Sequence, residues 1–153
     1  MVGFVLIVAL VIVGLVVFLT ISLRSVPKTK EDVSVEGMLE SLMRATTECE
    51  ISGQSTDFFE IFKSCVGNKS CSNLNENSCS YLKSNIPRVL FEMIKTEADI
   101  SAYKITFLKE ENSKKEVIFS NSSGKCVGHV LSGRDLRVFR NKNLIVELKI
   151  CVG

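Results

Sequence analysis

Six cysteines are the residues of this sequence best suited to chemistry: Cys49, Cys65, Cys71, Cys79, Cys126 and Cys151. A cysteine can act as a nucleophile, bind a metal ion or form a disulfide. The chain has no CxxC motif, its cysteine spacing matches no zinc finger or ribbon, and the CxxCH motif of covalent haem is missing. Disulfides are therefore the predicted use, and they need an oxidising compartment outside the cytoplasm.

The pairing of the six cysteines stays open at this stage, because six cysteines can pair fully in fifteen ways. A bridge between Cys126 and Cys151 is favoured, since both fall in the strand-rich C-terminal third of the chain. Such a bridge would tie the final strand to the sheet. The other four cysteines would then cross-link the helical part.

The chain has a single histidine, His129, three residues after Cys126. In a strand, positions i and i+3 point to opposite faces, so a thiol and imidazole pair is not expected here. The chain also lacks GxSxG, HExxH and GxxxxGK[ST] motifs. We therefore expect no enzyme activity, no catalytic residue, no metal site and no cofactor.

Charge gives little reason to expect a nucleic-acid partner, because the formal net charge is only +2. Arg134, Arg137, Arg140 and Lys142 form the most basic stretch. On a strand, position 137 faces away from 134 and 140, so these cations would not form one stripe. A phosphate- or DNA-contacting edge stays open as the weaker alternative. Residues 109–116 are predicted to form a solvated hairpin tip of mixed charge.

Two glycosylation sequons lie in polar, turn-like stretches. They are Asn68-Lys69-Ser70 and Asn121-Ser122-Ser123. If the body of the protein is outside the cell, Asn68 and Asn121 are the candidate glycan acceptors.

The first 23 residues, MVGFVLIVALVIVGLVVFLTISL, contain no charged side chain. As a helix they would extend roughly 34 Å, enough to span a hydrocarbon layer of about 30 Å. A lone segment in lipid must satisfy its backbone internally, so a long hydrophobic helix is predicted over residues 1–26. Its large side chains are the candidate assembly contacts: Phe4, Leu6, Leu10, Leu15, Phe18 and Leu19.

This segment has three possible roles. A secretory signal peptide would have a basic leader and a small-residue cleavage site, which the segment lacks. A plain membrane anchor, and an anchor that later leaves the bilayer as an assembly helix, both stay open. Arg24, Lys28 and Lys30 follow the segment, and the positive-inside rule alone would keep the body in the cytoplasm. Loss of a short basic leader before Met1 would reconcile this charge pattern with external disulfides.

The spacing of apolar side chains predicts the helices and strands that position these residues. Apolar residues spaced three and four apart predict one helix from Lys30 to about Glu48. A second, short helix is predicted to follow Asp57 as its N-terminal cap. A third is predicted over about 82–94, where Pro87 either opens or kinks the helix. Residues 52–55 are predicted as a loop. Residues 67–80 are polar and contain two cysteines, so this stretch is predicted to need disulfide bridges to be ordered.

After Ala98 the apolar spacing changes to two residues. Five runs are predicted as strands: 103–108, 117–119, 126–131, 136–139 and 144–150. Their short turns favour an antiparallel arrangement. The predicted fold class is α+β, with a long N-terminal hydrophobic helix, short disulfide-bonded helices and a C-terminal antiparallel β-meander of about four to five strands. The predicted domains are a transmembrane or assembly helix, 1–26, and an extracellular head, 27–153, helical over 27–98 and sheet over 99–153.

This layout resembles an archaeal type IV pilin-like filament subunit. The likeness rests on the uncharged start MVGFVLIVALVIVGLVVFL, on the size of the body and on its β-rich C-terminal half. Bacterial pilins carry a glutamate at the fifth mature position, where this chain has Val5, which favours an archaeal relative. The resemblance implies a subunit of an extracellular filament that polymerises with copies of itself, for adhesion or cell contact.

Such a subunit would be inserted in the membrane before assembly and would contact a host-cell or other surface receptor. The alternative is a membrane-anchored extracellular binding or adhesion domain that does not polymerise. Nucleic acid is not an expected partner in either case.

Overall fold

The protein is described by a computed structural model that covers residues 11–15, 34–96 and 100–153. The chain divides into two compact units, Met1–Val33 and Ser34–Gly153. In the first unit, residues 11–15 are helical. All other described elements belong to the second unit. The domain boundary after residue 26 stays a prediction.

The predicted fold class was wrong in one part, the long N-terminal hydrophobic helix. No helix in the described ranges is long and apolar enough to cross a membrane, and the helices of the second unit have only 10, 9 and 18 residues. The prediction assumed lipid around the segment, where a helix is the only choice; elsewhere its Val and Ile residues lower helix preference. Among the candidate assembly side chains, Leu15 is helical and exposed. Five others lie outside the described residues: Phe4, Leu6, Leu10, Phe18 and Leu19.

The second unit begins with helix α1, Val35–Arg44. The Ser34 hydroxyl accepts a hydrogen bond from the Gly37 amide at 3.2 Å, which satisfies one free donor of the first turn. The helix buries one apolar face, formed by Val35, Leu39, Leu42 and Met43. It was predicted to reach about Glu48 but ends at Arg44, because the β-branched Thr46 and Thr47 begin a strand.

Strands β1, Thr46–Ile51, and β2, Gln54–Asp57, form an antiparallel hairpin where a loop was predicted. Its turn residues Ser52 and Gly53 have φ values of 57° and 78°. A type I′ two-residue turn needs positive φ at both positions. The turn lies within the predicted loop 52–55, but the two strands that it joins were not predicted.

Helix α2, Phe58–Val66, starts where predicted. The Asp57 carboxylate accepts a hydrogen bond from the Glu60 amide at 2.8 Å, which confirms the cap. The polar stretch that follows contains two short strands, β3, Ser70–Cys71, and β4, Glu76–Asn77, which pair with each other. Helix α3, Ser78–Lys95, then runs through Pro87, so this proline lies inside the helix.

The C-terminal part is one four-stranded antiparallel sheet in the order β6-β5-β8-β7. The strands are β5, Ile100–Glu111; β6, Lys114–Gly124; β7, His129–Phe139; and β8, Lys142–Val152. The α+β class and the C-terminal antiparallel sheet are thus confirmed. Because β5 pairs with β8, the first and last strands form the centre of the sheet.

Strand β7 is continuous, although the sequence predicted two shorter strands with a break near Gly133. Gly133 is the point where α1 crosses the sheet. A Cβ atom added there would lie 2.9 Å from the carbonyl carbon of Val35. This glycine therefore serves close packing between helix and strand, not a turn.

The core lies between the three helices and one face of the sheet, called here the inner face. On the side of the sheet, the core is formed by side chains of strands β5 and β8: Tyr103, Ile105, Phe107, Leu144, Val146, Leu148 and Ile150. From α2, Phe62 contacts Phe107 edge to face, with ring centroids 5.0 Å apart. The opposite face, the outer face, carries the alternate residues of every strand.

Candidate functional site

All six cysteines are paired in three disulfides. Cys49 bonds Cys71, Cys65 bonds Cys79, and Cys126 bonds Cys151, which confirms the favoured C-terminal pair. The first bridge joins β1 to β3, the second joins α2 to the start of α3, and the third joins the β6–β7 connection to β8. No cysteine is free. The thiols therefore cannot serve as nucleophiles or metal ligands while the bridges are intact.

His129 is exposed at the start of β7. The nearby Cys126 is engaged in its disulfide, so a reactive thiol and imidazole pair does not form. Over residues 11–15, 34–96 and 100–153, no group of three His, Cys, Asp or Glu residues is placed to hold a metal ion.

The basic residues of β7 and its turn each have a partner, and they do not share a face. Arg134 pairs with Glu147 across the outer face at 3.9 Å. Arg137 lies 3.1 Å from Asp135 and stacks on the Phe59 ring, 4.3 Å from its centroid. The guanidinium of Arg140 lies over the Phe139 ring, and Lys142 forms an ion pair with Glu111. Arg137 thus helps to attach α2 to the sheet edge.

Two ion pairs hold the predicted hairpin tip of mixed charge: Lys142 with Glu111, and Lys109 with Glu116. Lys109 and Glu116 face each other on β5 and β6, with Nζ and Oε2 2.6 Å apart. The hydrogen bond from Lys109 lowers the pKa of the Glu116 carboxyl. The same bond raises the pKa of the Lys109 ammonium. In this contact of the tip, the one base and the one acid neutralise each other.

The two candidate glycan acceptors differ in accessibility. Asn68 is exposed in a turn after α2, with φ of 53°. Asn121 lies on β6, where its Oδ1 accepts a hydrogen bond from the Tyr103 hydroxyl at 3.1 Å and is half-buried. Both stay predictions, and Asn68 is the more open of the two.

The outer face of the sheet carries an arrangement that no motif indicated. Lys104 of β5 and Lys149 of β8 are direct cross-strand neighbours, and both side chains are exposed. Ser122 of β6 lies opposite Lys104, and Ser132 of β7 lies opposite Lys149. In the part of the chain that the structure describes, neither ammonium forms an ion pair.

Beside the two lysines lies an open depression of about 240 Å³. Its lining includes Lys104, Lys149, Ala102, Val130 and the Cys126–Cys151 disulfide. We call this feature the lysine depression. It combines two cations with an apolar floor, and this combination is suited to binding a ligand.

Comparison of the chain with family models, curated proteins and solved structures gave no match. The pilin resemblance therefore stays a hypothesis based on the sequence alone.

Sequence reasoning missed the lysine depression for a topological reason. Lys104 and Lys149 are far apart in the chain and become neighbours only because β5 pairs with β8. The alternation of side chains along each strand does place both lysines on the face of the sheet that points away from the core. That signal becomes useful only when the strand order and register are known.

Proposed function

We propose that this chain is a subunit of an extracellular filament similar to type IV pilins. Its disulfide-bonded head would project outside the cell, and its apolar segment, residues 1–23, would be enclosed by neighbouring copies. The proposal rests mainly on one observation: all six cysteines are paired in a unit that follows an uncharged segment. Adhesion or cell contact is the role that we assign to the filament.

The disulfides support the external placement of the head. Stable disulfides form in oxidising compartments and are rare in the cytosol. Three of them, with sequence separations of 22, 14 and 25 residues, occur in one small unit. In the cytosol, glutathione and thioredoxin would keep these cysteines reduced.

The composition of residues 1–23 supports assembly. The segment has seven Val and three Ile residues and no charge, so its side chains favour a non-aqueous environment. Burial of each large apolar side chain is worth about 1.5–3 kcal/mol, as an upper estimate. Before assembly the membrane would provide this burial, and afterwards identical neighbours would provide it. Contacts between copies that do not close into a ring produce a helical polymer.

Electron microscopy tests this proposal. Cells that produce the full chain are sheared, and the released material is imaged with an antibody against the head. Wild type and the conservative variant Leu10→Met should give filaments labelled along their length. Leu10→Asp places a charge in the apolar segment and should give none, while the protein is still made. Dispersed wild-type protein, or normal filaments from Leu10→Asp, would refute the proposal.

The second candidate is a membrane-anchored extracellular binding domain that does not polymerise. The lysine depression favours it, because an open site with unpaired cations suits a module that binds a ligand. In this case the full chain would fractionate with membranes and remain a monomer after extraction in detergent. Sedimentation of the extracted protein distinguishes the two candidates.

A further inference from the structure

The lysine depression has a charge arrangement that the described part of the head leaves unbalanced. Like charges directly opposite each other in an antiparallel pair are destabilising. Lys104 and Lys149 are in this position at the centre of the outer face. A sheet can tolerate such a pair in water, but an anion placed between the two ammonium groups would relieve their repulsion.

The surrounding charges strengthen this argument. The neighbouring row of the outer face holds Thr106, Glu147 and Arg134. Its only carboxylate, Glu147, already lies 3.9 Å from Arg134. Three cations thus share one acid on this part of the face. The excess positive charge would attract a negatively charged group.

The floor of the depression has a different character. It is formed by Ala102 and Val130 beside the Cys126–Cys151 disulfide. In the register of the sheet, Ala102 and Val130 lie on either side of Cys151. The disulfide attaches the β6–β7 connection to β8, so the floor is cross-linked and its shape is preformed. A preformed site loses less conformational entropy on binding.

We propose that the lysine depression binds an acidic sugar, with its carboxylate between Lys104 and Lys149. The apolar C–H face of the sugar ring would rest on Ala102, Val130 and the disulfide. The hydroxyls of Ser122 and Ser132 flank the lysines and can bond to the ring hydroxyls. The inference does not depend on whether the chain forms filaments.

The openness of the depression favours a sugar over other organic anions. An acyl chain would leave much of its apolar surface in water, because the depression is open to solvent. A sugar presents one apolar face and a rim of hydroxyls, so its outer side stays hydrated. Most ligand sites combine an apolar lining with a few polar groups, as this one does.

The test uses the full chain in a neutral detergent and three probes: glucuronate, glucose and acetate. Calorimetry should show that glucuronate binds at least tenfold more tightly than glucose, which lacks the charge. Glucuronate should also bind more tightly than acetate, which lacks the ring. Equal binding of glucose would refute the role of the lysines, and equal binding of acetate would refute the role of the floor.

Variants locate the binding. Lys104→Gln with Lys149→Gln should weaken glucuronate binding at least tenfold. The matched control, Lys83→Gln with Lys115→Gln, removes the same charge from α3 and the hairpin tip and should leave the affinity unchanged. Similar losses in both double variants would mean that the attraction is only general charge, and the proposal would fail.

A third variant guards against misfolding as the cause. Ser132→Glu introduces a carboxylate opposite Lys149 and should block glucuronate while raising the melting temperature. The rise is expected because the new acid replaces repulsion with attraction. Undiminished binding to Ser132→Glu would place the ligand elsewhere and overturn the assignment.

Discussion

Single residues in this head act through close approach more than through chemistry. Gly133 shows this best, because its backbone is in ordinary strand conformation and only space demands a glycine. The carbonyl carbon of Val35 and the amide nitrogen of Glu36 lie 2.9 and 3.0 Å from the position that a Cβ would occupy. Helix α1 thus rests directly on the backbone of β7.

Gly133→Ala should destabilise the protein by about 1–3 kcal/mol, because the added methyl group forces α1 away from the sheet. Denaturant unfolding under non-reducing conditions measures this change. The control is Ser132→Ala, one residue away on the outer face, which should shift stability by less than about 0.5 kcal/mol. Equal effects of the two variants would show that α1 does not pack on Gly133 as described.

Charged side-chain pairs across strands differ between the centre of the sheet and the β5–β6 hairpin tip. At the centre of the outer face, Lys104 and Lys149 lie opposite each other and neither forms an ion pair with any residue that the structure describes. At the hairpin tip, the opposite charges of Lys109 and Glu116 form a matched pair. The matched pair couples the protonation of the tip to the folding of the hairpin. Both side chains reach solvent, so salt should weaken this coupling.

The pH dependence of the tip follows from the two pKa shifts. The pKa of Glu116 is lowered from its ordinary 4.5, so its contribution is complete above that value and is lost as pH falls through the lowered pKa. The pKa of Lys109 is raised from 10.5, so its contribution is complete below that value and is lost as pH rises through the raised pKa.

Lys109→Met should therefore bring the pKa of Glu116 back up toward 4.5, as measured by NMR titration of its carboxyl carbon. The hydrogen bond that favours the charged carboxylate is lost in this variant. Lys115→Met removes a lysine of the same hairpin that does not contact Glu116 and should leave this pKa lowered. A Glu116 pKa that does not change in Lys109→Met would contradict the ion pair.

For the whole molecule, covalent cross-links reinforce a small core. The three disulfides connect β1 with β3, α2 with α3, and the β6–β7 connection with β8. Each closes a loop in the unfolded chain. In the chain-entropy model, loops of 14 to 25 residues give about 3–4 kcal/mol per bridge.

Thiol labelling of the native full chain should therefore give no adduct, and labelling after reduction in denaturant should give six. Cys126→Ser with Cys151→Ser should lower the free energy of unfolding by about 3 kcal/mol, because the unfolded chain regains the freedom of the 25-residue loop. Mass spectrometry and non-reducing denaturant unfolding provide these two measurements. A reactive thiol in the native protein would contradict the pairing and would reopen the question of an active cysteine.

Local patterns in the sequence predicted several features that neighbours along the chain decide, although they missed the end of α1 and the β1–β2 hairpin. The Asp57 cap, the apolar face of α1 and the two-residue alternation of the sheet depend on contacts a few residues apart, so the sequence predicts them. The Cys126–Cys151 pair was favoured from the sequence because both cysteines fall in the strand-rich C-terminal third, and the structure confirms it. The long N-terminal helix was wrongly predicted, because hydropathy shows that a segment avoids water but does not show what surrounds it.

Only the tertiary structure decided the features that depend on distant partners. The sequence alone showed an uncharged leading segment, and it predicted disulfides, an α+β fold class and strands with one buried face. The fold decided that β5 and β8 are central neighbours, that Gly133 receives a helix and that Lys104 faces Lys149. The physical reason is that strand order and register bring together residues that are far apart in the chain, and alternation within a single strand carries no information about them.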